Sequence, residues 1–65
     1  MQIEPQDLKK ARDRLVRAQG QIAGVVKMLD EGRDCTDILS QLSAANSALT
    51  KAGFAIIATG MAKSV

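Results

Sequence analysis

Residues 8–29, LKKARDRLVRAQGQIAGVVKML, decide the fold. Within them Leu8, Ala11, Leu15, Ala18, Ile22, Val25 and Leu29 recur at alternating spacings of three and four. That is the seam of an amphipathic helix, and no period-two strand template fits it. Toward the C-terminus the pattern returns in Ile38, Leu42, Ala45, Leu49, Ala52 and Ile56. Between the two runs Gly32 terminates a helix after Glu31. Asp34 then caps a second helix, with Asp37 at its third position. Toward the N-terminus Pro5 suits a first helical turn, and Asp7 places negative charge near its positive end. The sequence therefore predicts helix 1 over 5–31, helix 2 over 35–58 and the start of a third helix at 61–65. A connection of four residues, 31–34, makes the two long helices antiparallel neighbours.

The chain has 65 residues and is read as one domain, 1–65. A domain of about 60 residues buries only about 60% of its unfolded surface, so a lone core is marginal. Disulfides, metals or oligomerisation usually make up the deficit. With one cysteine and no histidine, neither an internal disulfide nor a zinc-finger spacing can be drawn. Oligomerisation remains. On a helical wheel, helix 2 sets Leu39, Asn46, Gly53 and Ile57 beside its first stripe, an apolar arc wider than one partner helix covers. A second hairpin is needed to close a four-helix bundle.

The same composition bears on function. Without histidine, most familiar catalytic constellations cannot be built, and no nucleophile–base pair or phosphate loop is present. An enzyme is not expected. The N-terminus lacks the pattern of a secretory leader, and the apolar run from Ala52 to Ala62 is too short to span a bilayer. A cytoplasmic setting away from membranes is the expectation.

The formal charge is only +2, but it is unevenly spread: residues 9–17 carry +4 and residues 30–37 carry −3. Lys10, Arg14, Arg17 and Gln21 fall together on the helix-1 wheel beside the apolar seam, whereas Lys9, Arg12 and Lys27 point elsewhere. Such a stripe either follows phosphates or is the solvated face of an ordinary helix. Cys35, the single thiol, stands at the start of helix 2. The positive helix end favours a thiolate there, Asp34 and Asp37 oppose it, and a small buried apolar residue at the edge of the seam is the other reading. Gly20 and Gly24 interrupt helix 1 and suggest close helix approach. Met28 and Met61 are read as core filler rather than soft-metal ligands.

The run from Arg14 to Gly24, of pattern Arg-Leu-x-Arg-x-x-Gly-Gln-x-x-Gly, resembles the CsoR/RcnR/FrmR family. So do Met28-Leu29, the segment Asp34-Cys35-Thr36-Asp37-Ile38-Leu39, and Gln41-Leu42-Ser43-Ala44. These are small all-helical bacterial repressors that sense copper, nickel or cobalt, formaldehyde or reactive sulfur. The resemblance covers roughly residues 8–57. It implies an all-α antiparallel hairpin that dimerises into a four-helix bundle and assembles into tetramers, and it implies duplex DNA as partner. Arg14 and Lys51 stand where the family carries DNA-contacting basic residues, which moves the basic stripe toward DNA. The resemblance also implies an inducer site between two chains, Cys35 of one completed by residues at positions 60 and 64 near the end of helix 2 of its partner, with Cu(I) or Ni(II) as candidate ligands. Here those positions are Gly60 and Ser64, so no cofactor is expected and the site is reduced to Cys35. The function expected is a DNA-binding transcriptional repressor, acting as a homodimer or homotetramer. Two other readings stay open. One is a helical hairpin that forms mixed oligomers with a paralogue or another protein; the other is an RNA-binding four-helix bundle.

Overall fold

A computed structural model describes residues 3–63. The chain enters through one 3-10 turn, Pro5–Leu8, whose fixed proline φ opens the turn while the amide of Asp7 bonds back to the carbonyl of Glu4 at 2.9 Å. It continues as helix α1, Lys9–Asp30, reverses, and returns as helix α2, Cys35–Lys63. The two helices pack antiparallel into a rod of 49 × 16 × 13 Å, and no strand occurs among the described residues.

The reversal is built from local chemistry. Gly32 adopts φ +65°, a left-handed conformation that side chains with a Cβ resist. Its amide bonds to Leu29 O at 3.2 Å, and the amide of Arg33 bonds to Met28 O at 2.9 Å. These two bonds make a Schellman ending, which satisfies carbonyls that the end of α1 would leave open. Asp34 then starts α2. Its carboxylate accepts from the Thr36 amide at 3.3 Å and its carbonyl accepts the first helical bond, from Ile38 N at 3.1 Å. Arg33 adds an exposed ion pair to Asp37 at 3.4 Å.

The C-terminal boundary differs from the sequence expectation. Helix 2 does not end near 58; α2 runs on through Gly60 to Lys63, so residues 61–63 are its last turn and not a third helix. One helical glycine costs about 1 kcal/mol, which helix-forming neighbours absorb. Residues 64–65 lie outside the described residues.

Packing divides each sequence seam in two. The buried positions are small: Ala11, Ala18 and Val25 on α1 face Ala45, Ala48 and Ala52 on α2. The larger seam residues, Leu15, Ile22 and Leu29 on α1 and Leu42, Leu49 and Ile56 on α2, are displaced to one flank and stay 38–59% exposed. Leu15 and Ile56 line a shared groove there with Leu8, so both helices present this apolar flank on the same side of the rod. Alanine at the contact lets the helix axes approach. A buried methyl is worth only about 0.8 kcal/mol, however, against about 1–2 kcal/mol of backbone entropy per ordered residue. The hairpin alone therefore leaves its main apolar surface unused.

Two expectations about packing need correction. Gly20 is exposed, and a Cβ added there meets nothing within 4 Å, so no close approach explains it. At Gly24 a Cβ would lie 3.4 Å from Gln41 Nε2, so that glycine makes room for a side chain of the other helix. Met28 is half-buried, but Met61 is 65% exposed and fills no core within this chain.

Candidate nucleic-acid interface

The side of the rod opposite the apolar flank is basic. Arg14 lies half-buried at the seam edge, and its Nη1 donates to the carbonyl of Lys51 across the interface at 3.2 Å. That bond places the α1 stripe next to Lys51 of α2, two basic side chains the sequence separates by 37 residues. Guanidinium carries five N–H donors, so a single bond to a carbonyl fixes Arg14 in place and leaves most of its fork available. Lys10, Arg17 and Lys51 are exposed, and none of them has a carboxylate partner among the described residues. Lys9, by contrast, is neutralised by Asp13 at 2.8 Å, and this hydrogen bond holds the Asp13 carboxyl below its ordinary value. Free positive charge thus gathers where α1 and α2 meet, along the middle of the rod and toward Lys10.

Gln21 completes the stripe differently from the others. It is half-buried, and its Oε1 is enclosed with no hydrogen-bond partner in the described structure. Its backbone carbonyl accepts from Gln41 Nε2 at 3.4 Å, the same amide that packs over Gly24. Gln41 is the residue that the sequence reading passes over. The inward line of α2 runs 38, 41, 45, 48, 52, half-buried at the first two and buried at the alanines, whereas the apolar pattern steers the eye to Leu42 and Leu49. A glutamine in register with the alanines was the available signal.

Cys35 is exposed and unpaired by disulfide at the first position of α2. It continues the face of Leu39, Leu42 and Asn46, which line a shallow open groove on the apolar side. Position 60 lies on the same face of the same helix, 25 residues on, or about 38 Å away at 1.5 Å per residue. One chain therefore cannot bring the two together, and Gly60 has no side chain to offer. No group of three or more His, Cys, Asp or Glu residues that could hold a metal ion occurs among the described residues. Cu(I) asks for several soft donors and Ni(II) for imidazole or comparable ligands. One thiol in water meets neither need. The residues present do not fit the metals that the resemblance implies.

The hairpin carries one apolar and one basic flank, and comparison gives its class. The family of metal-sensitive transcriptional repressors matches residues 7–65, and the chain belongs to that family. Among curated proteins it is similar to the copper-sensing transcriptional repressor RicR of Mycobacterium tuberculosis, 47% identical over 36 residues, which is 55% of this chain and 38% of that protein. It is also similar to the copper-sensing transcriptional repressor CsoR of Mycobacterium ulcerans, 40% identical over 53 residues, 80% of this chain and 45% of that protein. The chain spans less than half the length of these relatives. No solved structure gives a significant match. No described helix is long and apolar enough to cross a membrane.

Proposed function

We propose that this chain is a DNA-binding transcriptional repressor without catalytic activity, working in the cytoplasm as a single domain that assembles into a homodimer or homotetramer. Lys10, Arg14, Arg17 and Lys51 lie against the phosphates of duplex DNA, and Gln21 supports the stripe from within. The inducer site is reduced to the thiol of Cys35. The observation that carries the reading is the basic flank, which has unneutralised charge from both helices and faces away from the apolar side. Because the two flanks point apart, assembly through one leaves the other open to DNA.

The test is fluorescence anisotropy of a labelled duplex taken from upstream of its own gene, across a salt series. Phosphate contacts release counterions, so log K falls with log salt at a slope of about −0.9 per phosphate neutralised. Arg14→Ala should weaken binding about tenfold and reduce that slope by about 1 per chain, with helicity unchanged. Salt-independent affinity, or an Arg14→Ala protein that binds as the wild type does, would remove the basis of the reading.

A further inference from the structure

We infer that the DNA occupancy of this chain does not respond to Cu(I) or Ni(II), so that it is a metal-blind member of a metal-sensitive family. The inference rests on the DNA-binding reading above and concerns how that binding is regulated. A ligand shifts an equilibrium only by its differential affinity for two states, and the coupling is reciprocal between the two sites. A metal response therefore needs a metal held tightly, and held differently in the free and DNA-bound forms.

Neither condition is met. The chain has one cysteine and no histidine, and the described residues contain no cluster of metal-binding side chains. The single thiol, Cys35, is exposed, so an ion bound to it keeps most of its ligands from solvent. Within one chain the only other described sulfurs are Met28, half-buried, and Met61, which lies 26 residues further along α2, about 39 Å away. Coupling fails as well. Cys35 sits at the turn end on the apolar side, and Lys51 sits 16 residues on, about 24 Å along the helix and on the basic side. Between them the helices meet through Ala45 and Ala48, 2% and 7% exposed. A metal ion held by the thiol alone therefore lies far from the basic flank.

The experiment has two arms on the same protein. Anaerobically, the chain competes for Cu(I) with a colorimetric chelator, and Ni(II) retention is measured by equilibrium dialysis. In parallel, duplex anisotropy is recorded with and without one equivalent of each ion, for the wild type and for Cys35→Ala. The expected result is that the chelator keeps its Cu(I), that Ni(II) passes freely, and that DNA affinity changes by less than twofold in both proteins. Retention of one ion per chain, or a metal-dependent affinity loss beyond twofold, overturns the inference. Abolition of that loss in Cys35→Ala would show that the lone thiol suffices as a sensor. If the protein does not bind the duplex even without metal, the repressor reading fails, and metal retention alone decides the inference.

Discussion

The same chemical change, glycine to alanine, should move stability in opposite directions at two points of this chain. Gly20 lies in the interior of α1, and a Cβ built there meets nothing within 4 Å. Gly20→Ala therefore adds no clash and removes conformational freedom from the unfolded chain, a gain of about 0.5–1 kcal/mol. Gly32 is equally open in space, yet its φ is +65°. An L-residue pays about 1–2 kcal/mol to hold that conformation, and the unfolded-state gain of about 0.4–1 kcal/mol offsets only part of it. With the two ranges taken at matching ends, Gly32→Ala should thus cost roughly 0.6–1 kcal/mol net. For a domain of this size 1 kcal/mol corresponds to about 4–8 °C in Tm. The two variants should melt about 4–16 °C apart, on either side of the wild type, with Gly24→Ala between them because only the tip of Gln41 has to move. Far-UV circular dichroism melts at one fixed chain concentration are the assay, since assembly makes Tm concentration-dependent. A Gly32→Ala protein that melts above the wild type would refute the left-handed Schellman ending of α1. A Gly20→Ala protein that melts below it would mean that the outer face of α1 is covered.

Two further predictions concern the seam and the surface charge. Ala52 is 1% exposed at the helix contact, so Ala52→Leu should force the axes apart and cost about 1–3 kcal/mol in urea unfolding, whereas a stable variant would mean the seam has slack. The carboxyl of Asp13 should titrate below its ordinary value because Lys9 donates to it. Its folded pKa is lowered, so its small stabilisation is present above the unfolded value and lost as pH falls through the folded one. NMR titration of the Asp13 carboxyl in Lys9→Ala should show the midpoint restored, and an unmoved midpoint would break the assignment.

The hairpin was legible because its punctuation is local. Gly32, Asp34 and the three–four spacing each act through bonds a few residues long, and the structure uses them as read. What the spacing could not resolve was rotation about the helix axis. Ala11 and Leu15 fit one helical stripe equally well, and only the packed pair reveals that alanine takes the contact while leucine takes the flank. Gln41 was hidden for the same reason, since a polar side chain inside a seam looks like a gap in the pattern. Gly60 misled in the other direction. A glycine marks a helix end only when the chain turns there, and nothing local to Gly60 makes it turn. Arg14 and Lys51 could be linked across the sequence only through a resemblance; in the structure one hydrogen bond joins them.

The rod has a direction as well as two sides. Its turn end, residues 30–37, carries −3, while Arg17, Arg14 and Lys51 begin about 20 Å away near the middle of the rod and Lys10 lies beyond them. Its length of 49 Å is several times the screening distance of about 8 Å at physiological ionic strength, so a polyanion feels the two ends separately. In the proposed DNA-binding role, a duplex would repel the tip of the hairpin and draw in the basic stretch, a torque that acts before any contact forms. The acidic turn, needed locally to cap a helix, therefore also acts as a rudder: of all the ways a thin rod could lie along DNA, it disfavours those that bring the turn down first.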